Sequence, residues 1–206
     1  MKNIILSISF AIALFVNGCS STKTTNINTN KIDPNAPIVT HKAIMETSMG
    51  KIEIELYGID APKTVANFVG LADKNFYSGI LFHRVVTGFV IQAGDPKSKD
   101  PAMKQYWGQG GESIYGKEFA DELNSNTPSY KQGYVPGSLA MANRGPNTNT
   151  SQFFICLDNA EGLQKNYTMF GKVTSGMDVV KKIEASESTQ PKVYVEIKSL
   201  KATSVN

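Results

Sequence analysis

The sequence predicts a mainly β domain: a closed, eight-stranded antiparallel β-barrel capped by two α-helices. Three observations lead there. Eight short apolar or alternating runs recur between residues 42 and 202, each of strand length. Only two segments carry apolar residues at helical spacing. Gly, Pro, Asn and Ser punctuate the runs, and many short strands leave exposed edges that closure into a barrel removes.

The elements follow in chain order. Lys42–Thr47 and Lys51–Tyr57 flank Ser48-Met49-Gly50 and form a hairpin; Ile52, Ile54 and Leu56 alternate with Lys51, Glu53 and Glu55, so one face is buried and one wet. Pro62 suits a first helical turn, and Val65, Phe68, Val69 and Ala72 continue a helical stripe. Strands are expected at Phe82–Val86 and Phe89–Gly94. Residues 95–137 are rich in Gly, Pro, Ser and Asn and read as a long irregular stretch, which in a compact domain is usually functional. Ser138–Ala142, Gln152–Leu157 and Met169–Thr174 are the next strands. Met177–Ala185 is the second helix, with Val179, Val180 and Ile183 on one side, and Val193–Ala202 is the last strand.

Ahead of this domain the chain carries an address. Lys2, the apolar run Ile4–Val16 and Gly18 before Cys19 have the layout of a secretory signal peptide. Val16-Asn17-Gly18-Cys19 resembles a bacterial lipobox, which implies cleavage before Cys19 and its lipidation. The division expected is 1–18 signal peptide, 19–41 lipidated cysteine and flexible tether, 42–206 folded domain. Residues 20–40 are dominated by Ser, Thr, Asn and Pro, and such a tether spans roughly 25 Å. The expected location is extracytoplasmic: the periplasm, lipid-anchored to a membrane. Ser20 after the cysteine favours the outer membrane if the cell is Gram-negative.

Composition removes several function classes. A net charge of +3, spread along the chain, argues against a nucleic-acid partner. The two cysteines and two histidines, Cys19, His41, His83 and Cys156, are scattered along the chain, which argues against a structural zinc site, since that usually needs four clustered ligands. Cys156, inside Phe153-Phe154-Ile155-Cys156-Leu157, reads as a buried structural thiol.

The candidates for chemistry are few. The chain has two arginines, Arg84 and Arg144. On a strand, Phe82, Arg84 and Val86 share one face and His83 and Val85 the other. Arg84 is then an arginine among apolar neighbours, and a structural ion pair is the bland alternative. His83 is expected inside, as a hydrogen-bonded core histidine. Arg144 lies in an Asn/Gly/Thr-rich turn and reads as a solvated loop residue or a contact to substrate flanks. A hydrolase using His83 with Asp95 or Asp121 would need a nucleophile, and no Gly-x-Ser-x-Gly elbow is present. A sugar- or nucleotide-binding barrel could be read from Gly108-Gln109-Gly110-Gly111, which lacks the Gly-x-Gly-x-x-Gly pattern.

Four segments settle the reading by resemblance. Phe82–Asp95 (FHRVVTGFVIQAGD), Gly108–Glu122 (GQGGESIYGKEFADE), Ser138–Ile155 around MANRGPNTNTSQFF, and Met169–Val173 (MFGKV) resemble the cyclophilin family of peptidyl-prolyl isomerases in order and spacing, from about Ala43 to Leu200. The resemblance implies the eight-stranded barrel with two capping helices. It implies Arg84 as the catalytic arginine and Phe89, Val90, Phe154 and Leu163 as the proline pocket. Gln92, Ala142, Asn143 and Gln152 would hold the peptide backbone. Three positions depart from the best-known members: Val90 replaces a methionine, Gly162 a tryptophan and Tyr167 a histidine, with Tyr167 still able to supply an aromatic wall. Gly162 removes a cyclosporin contact, so weak cyclosporin binding is expected. The family reaction needs no cofactor and no metal. The expected partners are proline-containing unfolded or flexible polypeptides and, through the lipid anchor, a membrane; a monomer is expected. A non-catalytic module that binds proline-containing segments at the cell envelope is the alternative.

Overall fold

The computed structural model describes residues 33–160, 162–189 and 192–205. The signal peptide, Cys19 and the first part of the tether lie outside the described residues. Eight strands form one antiparallel sheet: β1 (His41–Thr47), β2 (Gly50–Leu56), β3 (Arg84–Val86), β4 (Val90–Ala93), β5 (Ser138–Met141), β6 (Phe153–Cys156), β7 (Met169–Ser175) and β8 (Ile197–Ser204). Their spatial order is β3-β4-β6-β5-β7-β2-β1-β8. The sheet curls until its two ends meet through the short pairing Leu81↔Glu196, supported by Phe82 N–H to Val195 O at 2.9 Å and Ile197 N–H to Ile80 O at 2.8 Å. Closure is therefore made by the residues leading into β3 and β8, not by the strands themselves.

Binary patterning explains which strands line what. β1 and β2 alternate buried and wetter residues, as the sequence alternates. β5 and β6 are buried on both faces, which is why Phe153-Phe154-Ile155-Cys156 is continuously apolar. One set of side chains, including Ile91, Leu139, Phe153 and Ile155, joins Met45, Ile52 and Leu56 in the main core. The other set, Val90, Ala140, Phe154, Cys156 and Met169, belongs to a second and smaller cluster on the opposite face.

Two longer helices close the main core. Helix α1 (Pro62–Asp73) has proline in its first turn and buries Val65, Phe68 and Leu71. Phe68 meets Phe153 edge-on at 5.5 Å between ring centroids. Ala61 cannot cap the helix, so the distant Glu122 accepts the free N–H groups of Lys63 and Thr64 at 3.0 and 2.9 Å. Helix α3 (Met177–Ala185) buries Val179, Val180 and Ile183 against the same core.

Three expectations need correction. Residues 95–137 are not uniformly irregular: they contain 3₁₀ helices at Pro96–Lys99 and Pro101–Tyr106 and a third, short helix, α2 (Pro128–Gln132), each opened by Pro after an Asp or Thr cap. Buried Asn67 of α1 ties this stretch down, accepting from Ile114 N–H at 2.9 Å and donating to Thr150 O at 2.8 Å. The last strand starts at Ile197 and runs to Ser204; Val193 and Tyr194 read as strand by propensity but lie outside the ladder. Pairing on β1 starts at His41, opposite Leu56 and Ser204, so the last residue assigned to the tether is already in the sheet.

Candidate active site

The second cluster is the floor of a pocket of about 240 Å³, lined by Arg84, Phe89, Val90, Gln92, Ala142, Asn143, Phe154, Leu163 and Tyr167. Strand register sets Arg84, Val90, Gln92 and Phe154 across its centre. Arg84 pairs with Gln92, Gln92 with Phe154, Phe154 with Ala140, and Ala140 with Met169, a row across β3, β4, β6, β5 and β7 on one face of the sheet. Residues far apart in sequence thus stand side by side because one register places them there.

The row runs from polar to apolar. At one end the Arg84 side chain is exposed, and its Nη1 donates to Gln92 Oε1 at 3.3 Å. Among the described residues no carboxylate forms an ion pair with it, so the structural ion pair that competed with catalysis is not made. In the middle lie Phe154 and Val90, 5% and 2% exposed. Tyr167, which lines the pocket, meets Phe154 edge-on, at 5.6 Å and 83°. The floor includes a residue that sequence reasoning missed: buried Tyr134, whose hydroxyl donates to Tyr167 O at 2.8 Å and accepts Tyr167 N–H at 3.1 Å. Burial pushes its phenol up to about 12. A lone aromatic inside the turn-forming stretch Gln132-Gly133-Tyr134-Val135-Pro136-Gly137 was the available signal.

The walls are braced from outside. The tight turn between β3 and β4 uses Gly88 at φ +71°, a conformation that glycine adopts without strain. Its N–H is held by Glu184 Oε1 of α3 at 2.7 Å, a bond that lowers the Glu184 carboxyl below its usual range. This fixes the entry to Phe89. Asn143 spends its side chain on the rim, donating to Asn166 O at 2.9 Å and accepting Gly145 N–H at 3.3 Å. A Cβ on Gly162, next to the pocket residue Leu163, would meet nothing within 4 Å, so that position is open.

Gln152 is the one expected binding residue outside this lining. It faces a smaller neighbouring pocket, where its Nε2 donates to Gly108 O and Gly110 O at 2.9 and 2.6 Å and its Oε1 accepts Gln92 Nε2 at 2.9 Å.

The other candidates take structural places. His83 corrects an expectation: it is only partly buried as a residue, yet neither ring nitrogen has a hydrogen-bond partner. Next to the strand where the chain closes the barrel, it lies close to Asp95, Leu81 and Gln152, but desolvation outweighs them and lowers its pKa. Cys156 is fully buried, and burial drives its thiol up to about 12, so it is no nucleophile at neutral pH. Asp121 is occupied by Asn147 N–H and Asn149 Nδ2, both at 2.7 Å. The Gly108 and Gly110 N–H groups, which a phosphate would need, already go to the Asp95 carboxylate. These placements remove the support for the hydrolase and nucleotide readings. Arg144 is held by Glu118 Oε1 at 2.7 Å and by Gln109 O at 3.2 Å.

Known proteins share this architecture. The family model described as Cyclophilin type peptidyl-prolyl cis-trans isomerase/CLD matches residues 42–202. The chain is 47% identical over 142 residues to a peptidyl-prolyl cis-trans isomerase-like 1 of Rhizopus delemar, covering 69% of this chain and 79% of that protein. It is 48% identical over 139 residues to a peptidyl-prolyl cis-trans isomerase of Schizosaccharomyces pombe, covering 68% and 82%. A crystal structure of a Cryptosporidium parvum cyclophilin type peptidyl-prolyl cis-trans isomerase, in the presence of the dipeptide Ala-Pro, superposes with a TM-score of 0.68 at 32% identity, over 80% of this chain and 99% of that one.

Proposed function

Because the chain belongs to the cyclophilin-type peptidyl-prolyl cis-trans isomerase family, we propose that it isomerises Xaa-Pro bonds in exported proteins by Arg84-assisted stabilisation of the twisted imide. The observation that carries this is one pocket: an exposed guanidinium without a carboxylate at one end, an apolar, aromatic floor at the other. A solved relative was studied with Ala-Pro, and the prolyl ring is the group this floor would take.

The chemistry asks for little more. Amide resonance gives a rotation barrier of about 18–20 kcal/mol, and Xaa-Pro bonds exchange over tens to hundreds of seconds. Halfway through the turn the imide nitrogen becomes pyramidal and recovers its lone pair. A donor aimed there binds the twisted state better than either planar state, which is catalysis by differential binding. Arg84 is permanently charged with a rigid planar fork. Val90, Phe154, Leu163 and Phe89 would grip the ring, with water excluded, while the acyl side swings. Asn143, whose main-chain groups bond to no other described residue, would hold the substrate backbone together with Gln92 and Ala142.

Exchange spectroscopy on an Xaa-Pro peptide tests the activity. Catalytic amounts of protein are expected to speed cis/trans interconversion; broadened signals with unchanged interconversion would make the protein a proline-peptide-binding module instead.

The lipid-anchored, periplasmic setting rests on Lys2 to Cys19 alone, since the family model begins at residue 42. Acyl chains contribute about 0.8 kcal/mol per buried methylene. Expressed in a bacterium, the full chain should partition into detergent and Cys19→Ser should not; equal partitioning would remove the anchor.

A further inference from the structure

We propose that Asp95 is a positioning residue for the isomerase reaction, setting the direction of a chain of hydrogen bonds that ends on Arg84. Asp95 is 0% exposed. Its Oδ1 accepts Lys97 N–H at 2.8 Å, and its Oδ2 accepts Gly108 N–H and, at 3.0 Å, Gly110 N–H. A carboxylate only accepts, so this segment of the glycine loop must turn both N–H groups inward. No side chain fits at Gly110, where a Cβ would collide with Asp95 Oδ1.

The consequence travels one amide at a time. With the loop held in this way, the Gly108 and Gly110 carbonyls face Gln152 and demand a donor, and Nε2 supplies it at 2.9 and 2.6 Å. That leaves Gln152 Oε1 toward Gln92, which answers with its own Nε2 at 2.9 Å. Gln92 therefore has Oε1 left for Arg84 Nη1, at 3.3 Å. Each glutamine amide has one donating and one accepting end, so reversing the first reverses the last. Reversed, Gln92 would point an NH₂ group at a guanidinium that has no acceptors, and the fork would swing away from the cleft. Asp95 touches no substrate in this scheme; it acts through the polarity of the amides between.

This inference rests on the assignment of Arg84 to the twisted imide, and the experiment separates the two. In the full chain, kcat and KM on an Xaa-Pro peptide are measured for wild type, Arg84→Ala, Arg84→Lys, Asp95→Asn and the double variant Asp95→Asn with Arg84→Lys. Misorienting a catalytic group costs up to about 10²-fold, so Asp95→Asn is expected to lower kcat on the order of 10-fold with KM changed by less than about two-fold. In the Arg84→Lys background the same substitution should change kcat by less than about two-fold, since residues acting as one unit are non-additive. An equal loss in both backgrounds, a raised KM with kcat intact, or full activity of Asp95→Asn overturns the proposal. If circular dichroism shows Asp95→Asn unfolded, Gln152→Glu, which sets acceptors against the loop carbonyls, takes its place in the same cycle, and the same kinetic patterns support or overturn the proposal. A fully active Arg84→Ala would sink the Arg84 assignment and this inference with it. An inactive Arg84→Ala beside an active, folded Asp95→Asn or Gln152→Glu sinks the inference alone.

Discussion

Arg84 and Arg144 are the chain's two arginines, and the structure gives them opposite surroundings. Arg144, on the rim loop between β5 and β6, is held by a carboxylate and a carbonyl: Glu118 at 2.7 Å and Gln109 O at 3.2 Å. Arg84, on the sheet wall, is held only by a neutral amide at 3.3 Å. It lines a cleft with an apolar floor. Charge alone therefore does not separate the proposed catalytic cation from the other arginine. What marks it is charge left uncompensated beside a site where a lone pair develops, on a strand whose register is fixed by its neighbour.

The largest expected effect tests that contrast directly. Arg84→Ala should lower kcat/KM on an Xaa-Pro peptide by on the order of 10²–10³, the scale of losing one preorganised donor. Arg84→Lys keeps the charge but loses the planar fork, and should stay badly impaired. Near-normal activity of either variant would make Arg84 structural and erase its difference from Arg144.

Much of this contrast was legible in the sequence, and the reasons are local. The Phe82–Asp95 segment showed Arg84 on a strand face with apolar neighbours, and strand alternation suffices for that. Nine of the ten expected substrate contacts and catalytic groups line one pocket; Arg84, Val90, Gln92 and Phe154 do so because residues on paired strands keep fixed neighbours. Less legible was whatever depends on pairing between distant segments. Tyr134 looks like turn filler until β5 and β7 bring Tyr167 over it. Glu122 caps a helix 58 residues away, and Asn67 staples two loops; no periodicity announces either. His83 was expected to be satisfied because buried polar groups usually are, and the local sequence gives no sign that its ring nitrogens lack a hydrogen-bond partner.

A second test asks how much of the pocket catalysis uses. Gly162 leaves open space where the best-known members of the family place an indole. Gly162→Trp should raise cyclosporin affinity by about 10-fold or more, the scale of a buried aromatic anchor, while kcat/KM changes by less than about three-fold. Titration of both proteins with the drug reads the difference. A wild type that already binds as tightly as the variant would show that the open rim costs nothing.

The third test probes the interior directly behind Arg84. Burial holds the His83 imidazole below its ordinary value of 6.5, so the unfolded chain takes up this proton at a higher pH than the folded one. The stability from a neutral His83 is complete above pH 6.5 and is lost as the pH falls through and below it, with a limiting slope of about 1.4 kcal/mol per pH unit. Urea midpoints between pH 7.5 and 5 should therefore drop for wild type and drop less for His83→Gln. Parallel curves would mean that the space behind Arg84 is wet, and that the guanidinium owes nothing to a dry wall.

The smallest effect belongs to the other arginine. The Arg144–Glu118 pair is 60% and 42% exposed at its two side chains, and such pairs contribute about 0–1 kcal/mol. Arg144→Ala also frees the Gln109 carbonyl, a loss that water can make good at an exposed rim. Thermal unfolding should shift by no more than that amount, and less in high salt, because exposed pairs are screened. Activity on a short peptide should stay within about three-fold of wild type, since nothing in the Arg84 row passes through this residue. A fall approaching that of Arg84→Ala would mean that the rim cation also reaches the turning imide, and the two arginines would then differ in position but not in task.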